Sequence, residues 1–107
     1  MNVRFSEQAI RCRATSAELQ QLLTGRALTL ELNLPRDRKF RVNVRPAALE
    51  TWQLDSDPTG IWIAIPRSQL RALAETVPSK EGIEHSFEAA PGALTVKFEV
   101  DLKKSRA

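Results

Sequence analysis

The sequence has very little of what metal and catalytic sites are usually built from. It contains one cysteine, Cys12, and one histidine, His85, in 107 residues. A lone cysteine excludes an internal disulfide, and one cysteine with one histidine falls short of the ligand set of an ordinary zinc site. Walker glycines, a GxSxG elbow and an HExxH helix motif are also missing. We therefore expect no metal, no cofactor and no catalytic residue.

Long apolar segments are absent as well. The longest uninterrupted apolar run, Ile61 to Ile65, is far shorter than the ~20 residues that a membrane-spanning helix needs. The first residues, Met1 to Glu7, lack the apolar region of a secretory signal. We expect a protein of the cytoplasm, in a reducing compartment and without membrane association.

A similar unit occurs twice in the chain, about 51 residues apart. Residues 10–14 alternate like a strand and lead into the helical spacing of Leu19 and Leu22. Residues 61–65 do the same and lead into Leu70 and Leu73. The length fits a single domain over residues 1–107, and we divide it into pseudo-repeat halves at about 1–47 and 48–107.

Hydrophobic alternation and turn residues predict the secondary structure. A capping box at Thr15 and Glu18 starts one helix and Gly25 ends it, while Pro66 starts a second helix that ends at 78–80. Strands are expected at residues 3–5, 9–14, 28–34, 40–45, 49–54, 61–65, 82–89 and 93–102. The fold class is therefore α+β, with two ββαββ-like halves. They would form one small barrel or a strongly twisted, mostly antiparallel sheet with two short helices.

Positive charge is concentrated in the first half of the chain. Residues 1–45 hold nine Arg or Lys against four acids, a balance of +5, whereas residues 46–107 hold seven against nine, a balance of −2. Five arginines occupy the polar phase of their strands, and adjacent strands would gather them into one patch able to contact phosphates. These candidate binding residues are Arg4, Arg11, Arg13, Arg41 and Arg45. A solvated sheet face is the structural alternative.

The remaining chemically distinctive residues have structural interpretations. Cys12 shares a strand face with Ile10 and Ala14, which predicts a buried, unreactive thiol. His85 falls on the apolar phase of its strand, where a buried, hydrogen-bonded histidine or an exception at a strand end is the usual explanation. Trp62 is out of phase with its apolar neighbours, so it either packs under a helix or is exposed for a partner.

The N-terminal segment resembles a family of small, uncharacterised bacterial proteins whose chains begin M-K-I-R-I-K-G-x-S-I-R-L-R-L-T-x-S-E-V. Residues 1–19 look like an ungapped version that keeps Arg4, Ile10, Arg11, Arg13, Thr15 and Glu18. The resemblance implies a bacterial, cytoplasmic origin and no assigned function. This sequence departs from the pattern by lacking the Gly-x-Ser turn and the acidic C-terminal tail with its cysteine.

Three functional interpretations follow from these residues. The leading one is a non-catalytic binding or protein-interaction module that self-associates, as a homodimer, or binds another protein. The alternative is an anion or nucleic-acid binder that uses the arginine face. The third is a small enzyme acting on a phosphorylated substrate, which would need a deep pocket where His85 and acids converge.

Overall fold

The computed structural model describes residues 1–76 and 82–101. Within these residues the chain forms eight strands and two helices. The strands are β1 Asn2–Ser6, β2 Ala9–Ala14, β3 Leu28–Leu34, β4 Arg38–Ala47, β5 Gln53–Asp57, β6 Gly60–Pro66, β7 Ile83–Glu88 and β8 Ala93–Val100. The helices are α1 Ser16–Leu23, after β2, and α2 Arg67–Thr76, after β6. The predicted α+β class with two short helices is confirmed.

The start of α1 has the capping box that the sequence predicts. The Glu18 backbone N–H donates to Thr15 Oγ1 over 3.1 Å, and the Thr15 N–H donates to Glu18 Oε1 over 2.9 Å. The N-terminal ammonium of Met1 donates to Glu18 Oε2 over 2.7 Å. Gly25, at φ +96°, ends the helix in the left-handed conformation that glycine adopts without strain. Polar groups at both ends of this short helix are therefore paired.

The strands form two four-stranded sheets rather than one sheet or a closed barrel. Sheet 1 has the order β1-β2-β8-β7 and sheet 2 the order β3-β4-β6-β5. In each sheet the two outer pairings are antiparallel and the central pairing, β2 with β8 or β4 with β6, is parallel. Each helix carries the chain from one sheet to the other, so each half contributes one hairpin to each sheet.

The two sheets have equivalent connectivity. Matching β1–β4 with β5–β8 converts the order of sheet 1 into that of sheet 2. The registers also match, because the pair Val3–Cys12 corresponds to Leu54–Ile63, 51 residues later. This arrangement supports the internal duplication, which stays a prediction.

One hydrophobic core lies between the sheets and the helices. Its fully buried side chains include the helix residues Leu22 and Leu70 and the strand residues Val44, Ile63 and Phe98. Both sheets and both helices contribute to the same cluster, so the halves share a single core. Cys12 is part of it with 1% of its surface exposed, and burial raises the pKa of its thiol to about 11. The prediction of a buried thiol is confirmed.

The bounds of the fifth strand and the start of α2 differ from the sequence prediction. The fifth strand is Gln53–Asp57 rather than 49–54, because Asp57 Oδ1 accepts hydrogen bonds from the backbone and hydroxyl of Thr59 and confines the turn to two residues. Pro66 is the last residue of β6, and α2 begins one residue later than predicted. The predicted end of α2, at 78–80, lies outside the described residues.

Candidate anion-binding site

The structure divides the five predicted arginines between the two sheets. Arg4, Arg11 and Arg13 lie on β1 and β2 of sheet 1, whereas Arg41 and Arg45 lie on β4 of sheet 2. They therefore do not form one patch on adjacent strands. We call the three residues of sheet 1 the arginine cluster.

Strand register places the arginine cluster on the outer face of sheet 1. The inward positions of β2 are taken by buried residues such as Cys12, so the alternate positions Arg11 and Arg13 face away from the core. Arg4 lies directly opposite Arg11 in the antiparallel pair β1–β2, and Asn2 lies opposite Arg13. Directly opposite side chains in such a pair have Cβ atoms about 4.5–5.5 Å apart, so Arg4 is the cross-strand neighbour of Arg11. All three arginines line one recess together with Asn2.

A buried carboxylate holds two of these guanidinium groups in place. Glu99, on β8, is 5% exposed and lies opposite Arg13 in the parallel pair β2–β8. Its Oε2 accepts hydrogen bonds from Arg11 Nε at 2.8 Å and from Arg13 Nη2 at 3.1 Å. Its Oε1 accepts from Arg11 Nη2 at 3.4 Å. Two cations thus share one anion, and each guanidinium keeps further donors for another acceptor.

The charge state of Glu99 follows from this environment. Burial acts to raise the pKa of its carboxyl group, but hydrogen bonds and charge from Arg11 and Arg13 outweigh burial and lower the pKa below its ordinary value. The carboxylate is therefore ionised at neutral pH. The arginine cluster and Glu99 together carry a charge of +2, three positive groups against one negative group.

The third arginine of the cluster, Arg4, has no anionic partner within the described part of the chain. Among residues 1–76 and 82–101, Arg4 makes no ion pair and no side-chain hydrogen bond. Arg41, in contrast, donates from Nε to Glu31 Oε2 at 2.7 Å on the outer face of sheet 2. Lys39 lies 3.8 Å from the other oxygen of that glutamate. Sheet 2 thus pairs two cations with one carboxylate in the same way, and sheet 1 is distinguished by Arg4, which lies directly opposite Arg11.

The recess between the arginines is small. It is lined by Asn2, Arg4, Arg11 and Arg13 and holds about 10 Å³, roughly the space of one water molecule. An anionic group would therefore bind against the guanidinium groups at the surface rather than inside a deep pocket. The side chains of Arg11 and Arg13 are 47% and 38% exposed, so a ligand can reach them from solvent.

His85 does not belong to the arginine cluster. Its ring stacks on the buried Trp52, with ring centroids 5.7 Å apart, and meets the edge of Phe87 at 4.8 Å. Trp52 Nε1 in turn donates to Gln69 Oε1 on α2 at 3.1 Å. The expected burial of His85 is wrong: the residue is exposed, and its ring packs against these two aromatic side chains at the surface. In the part of the chain that the structure describes, no group of three or more His, Cys, Asp and Glu side chains could hold a metal ion.

Sequence reasoning missed two residues of this site. Glu99 falls on the polar phase of the last strand, but only the parallel pairing of β2 with β8 shows that it meets Arg11 and Arg13. Asn2 lies opposite Arg13, a position that the predicted strand 3–5 left out. The sequence signal that could have indicated Glu99 is that it is an acidic residue on the polar phase of its strand, where the other polar residues are Thr95 and Lys97.

Fold and site together define a two-sheet α+β protein with a basic cluster around a buried carboxylate on one outer face. The chain belongs to a family of unknown function, DUF7009, whose sequence model matches residues 1–105. This membership agrees with the expected resemblance to an uncharacterised family. Neither a curated protein nor a solved structure matches the chain. Within the described residues, no helix has the length and apolar character needed to cross a membrane.

Proposed function

We propose that this protein is a non-catalytic binding module that recognises an anionic group, a phosphate or carboxylate, with Arg4, Arg11 and Arg13. The observation that carries the proposal is the position of Glu99, which orients two guanidinium groups without neutralising all three. Preformed, charge-assisted donors of this kind suit phosphate and carboxylate oxygens.

The geometry favours a single anionic group over an extended polyanion. The two remaining arginines of the predicted face lie on the other sheet, and Arg41 is already paired with Glu31. A nucleic-acid strand needs a row of phosphate contacts, and its affinity then falls steeply with salt. The arginine cluster spans only β1 and β2, which is enough for one phosphate or carboxylate.

Thermal unfolding in the presence of anions tests this proposal. A ligand that binds only the folded state raises the melting temperature according to its concentration and dissociation constant. We expect inorganic phosphate and acetate, each compared with chloride at equal ionic strength, to raise the melting temperature of the wild type. The larger rise shows whether the site prefers phosphate or carboxylate. Arg4→Ala should lose most of this stabilisation, because Arg4 has no structural ion pair among the described residues. Arg38→Ala, at an exposed residue on β4 of sheet 2, is the matched control and should keep it.

Two results would contradict the proposal. One is an equal stabilisation of wild type and Arg4→Ala by phosphate and by acetate. The other is the absence of any anion-specific stabilisation in the wild type. Steeply salt-dependent binding of a single-stranded oligonucleotide that requires Arg41 and Arg45 would instead support the nucleic-acid alternative.

Self-association is a second candidate function, favoured by uncovered leucines on β3. Leu32 and Leu34 occupy the inward phase of this edge strand but are 56% and 40% exposed. An edge strand with exposed apolar side chains is a template for pairing with a second copy. Light scattering should give a dimer mass for the wild type and a monomer mass for Leu32→Lys. Leu49→Lys, at a residue 63% exposed outside the strands, should leave the dimer intact. A monomeric wild type would contradict this function.

A further inference from the structure

The outer face of sheet 2 has a second surface depression at the positions that match the arginine cluster. Adding 51 to each residue number of the first recess gives the second set of residues, with different side-chain chemistry. Asn2 is matched by Gln53, Arg4 by Asp55, Arg11 by Trp62 and Arg13 by Ala64. The depression is lined by these four residues together with Arg45 and Leu54, and its volume is about 450 Å³.

Trp62 provides an aromatic surface in this depression. It is half-buried on β6, and its neighbours on the same strand face are Gly60 and Ala64, the two smallest residue types. Small neighbours leave the indole ring uncovered along the strand. A larger residue does not fit at Gly60, because a Cβ there would overlap the backbone carbonyl of Arg41. The close approach of β4 to β6 therefore keeps the position before Trp62 on this strand face free of a side chain.

Opposite charges lie on the two sides of the indole. Asp55 lies directly opposite Trp62 on β5, and Arg45 lies opposite Ala64 on β4. Two strand spacings and two residues along the strand separate their Cα atoms by about 12 Å. In the described part of the chain Arg45 makes no ion pair. Among residues 1–76 and 82–101, the Asp55 carboxylate accepts one hydrogen bond, from the backbone N–H of Ser56 at 2.9 Å.

We propose that this depression binds a small zwitterionic ligand, of the size and chemistry of an amino acid with a long cationic side chain. The cationic end lies on the face of Trp62 and donates to Asp55, which combines a cation–π contact with a charge-assisted hydrogen bond. The carboxylate end reaches the Arg45 guanidinium, and Gln53 adds a neutral donor and acceptor between them. The volume falls in the usual range of small-molecule sites. This site is independent of the anionic group proposed for sheet 1.

Indole N–H resonances in an NMR titration test the proposal with L-arginine as the probe. The protein has two tryptophans, so the buried Trp52 serves as an internal control for Trp62. We expect L-arginine to move the Trp62 resonance in a saturable way and to leave that of Trp52 in place. Agmatine, which lacks the carboxylate, should bind at least about tenfold more weakly, the loss expected for one charge-assisted contact.

Variants separate the contributions of the two charges. Asp55→Asn should weaken L-arginine at least about tenfold, and Arg45→Ala should reduce it to the affinity of agmatine. Asp57→Asn, on the same strand but paired with the turn at Thr59, is the matched control and should bind normally. An unmoved Trp62 resonance with L-arginine, or equal affinities for L-arginine and agmatine, would overturn the proposal. Unchanged affinity in Asp55→Asn would also overturn it. Phosphate stabilisation through Arg4 would be unaffected by any of these results.

Discussion

Replacing Glu99 by glutamine removes the charge that holds two arginines while keeping the shape of the side chain. The glutamine is buried at the same place and can accept fewer and weaker hydrogen bonds from the guanidinium groups. Arg11 and Arg13 then repel each other and Arg4 without a carboxylate between them. We expect Glu99→Gln to lower the free energy of unfolding at neutral pH.

The size of this effect follows from the exposure of the partners. Removing one member of a fully buried ion pair costs about 3–5 kcal/mol, because the other charge stays buried and unpaired. Here the side chains that remain, Arg11 and Arg13, are 47% and 38% exposed and can be hydrated. Fully exposed pairs contribute about 0–1 kcal/mol. An intermediate loss of about 1–2 kcal/mol is therefore expected, and each kcal/mol shifts the melting temperature by about 4–8 °C in a domain of this size.

The pH dependence of the difference between wild type and Glu99→Gln gives a sharper test. The pKa of Glu99 is lower in the folded protein than its ordinary value of 4.5. The stabilisation from the ionised carboxylate is therefore complete above that value and disappears as the pH falls through the lower, folded pKa. Urea unfolding of both proteins at neutral pH and at several pH values below 4.5 should show the difference shrinking. The other carboxylates titrate in both proteins, so their effect on the free energy of unfolding cancels in the difference.

If the difference in the free energy of unfolding stayed constant at all pH values, this reasoning would be refuted, because the loss would then not depend on the charge of Glu99. Equal stability of the two proteins at neutral pH would refute it more directly. In that case the hydration of Arg11 and Arg13 would compensate fully for the lost carboxylate. Glu88→Gln, at an exposed carboxylate on β7 of the same sheet, is the control and should leave the free energy of unfolding nearly unchanged.

Three further predictions follow from the fold. Cys12 should react with a thiol reagent only slowly in the native protein and rapidly in denaturant, because it is 1% exposed and burial raises its pKa to about 11; rapid native labelling would contradict this. Thr15→Ala should cost about 0.5–2 kcal/mol in urea unfolding through loss of the N-cap hydrogen bond, whereas Gln20→Ala on the exposed side of the same helix should cost much less. Gly60→Ala should destabilise the protein, because its Cβ would overlap the Arg41 carbonyl. In Gly92→Ala the added Cβ meets no neighbouring atom, so its cost is limited to the strain of the φ of +85°. Equal stability of the two variants would show that β4 and β6 can separate to accommodate the methyl group.

The local pattern of residues was enough to predict most elements of the fold. Alternation located the strands around Ile10, Val42 and Ile63, and the capping box placed the start of α1 within one residue. These features are encoded by neighbours a few positions apart, where periodicity and turn chemistry act. The 51-residue spacing also pointed to equivalent connectivity, which the strand orders of the two sheets share.

The composition of the candidate site could not be predicted in the same way. Alternation shows which side chains share a face of a strand, but it does not show which strands are neighbours. Arg11 and Arg41 have the same phase, yet α1 carries the chain from one sheet to the other between them. Glu99 meets Arg11 across 88 residues of sequence, a contact that no local pattern specifies. Alternation left Trp62 either packed under a helix or exposed for a partner. It lies half-buried on the outer face of sheet 2, and its surroundings depend on Gly60 and on the pairing with β4.

The exchange of hairpins between the halves has a consequence for the order in which the chain can fold. Sheet 2 joins strands that follow one another between residues 28 and 66, whereas the central pair of sheet 1 joins residues 9–14 to residues 95–100. Closing the longer loop costs more chain entropy, so we expect sheet 1 to be completed last. Glu99 comes into contact with Arg11 and Arg13 only at that final step. Anion binding at the arginine cluster would then indicate that folding is complete, because it would be absent from any folding intermediate in which only sheet 2 has formed.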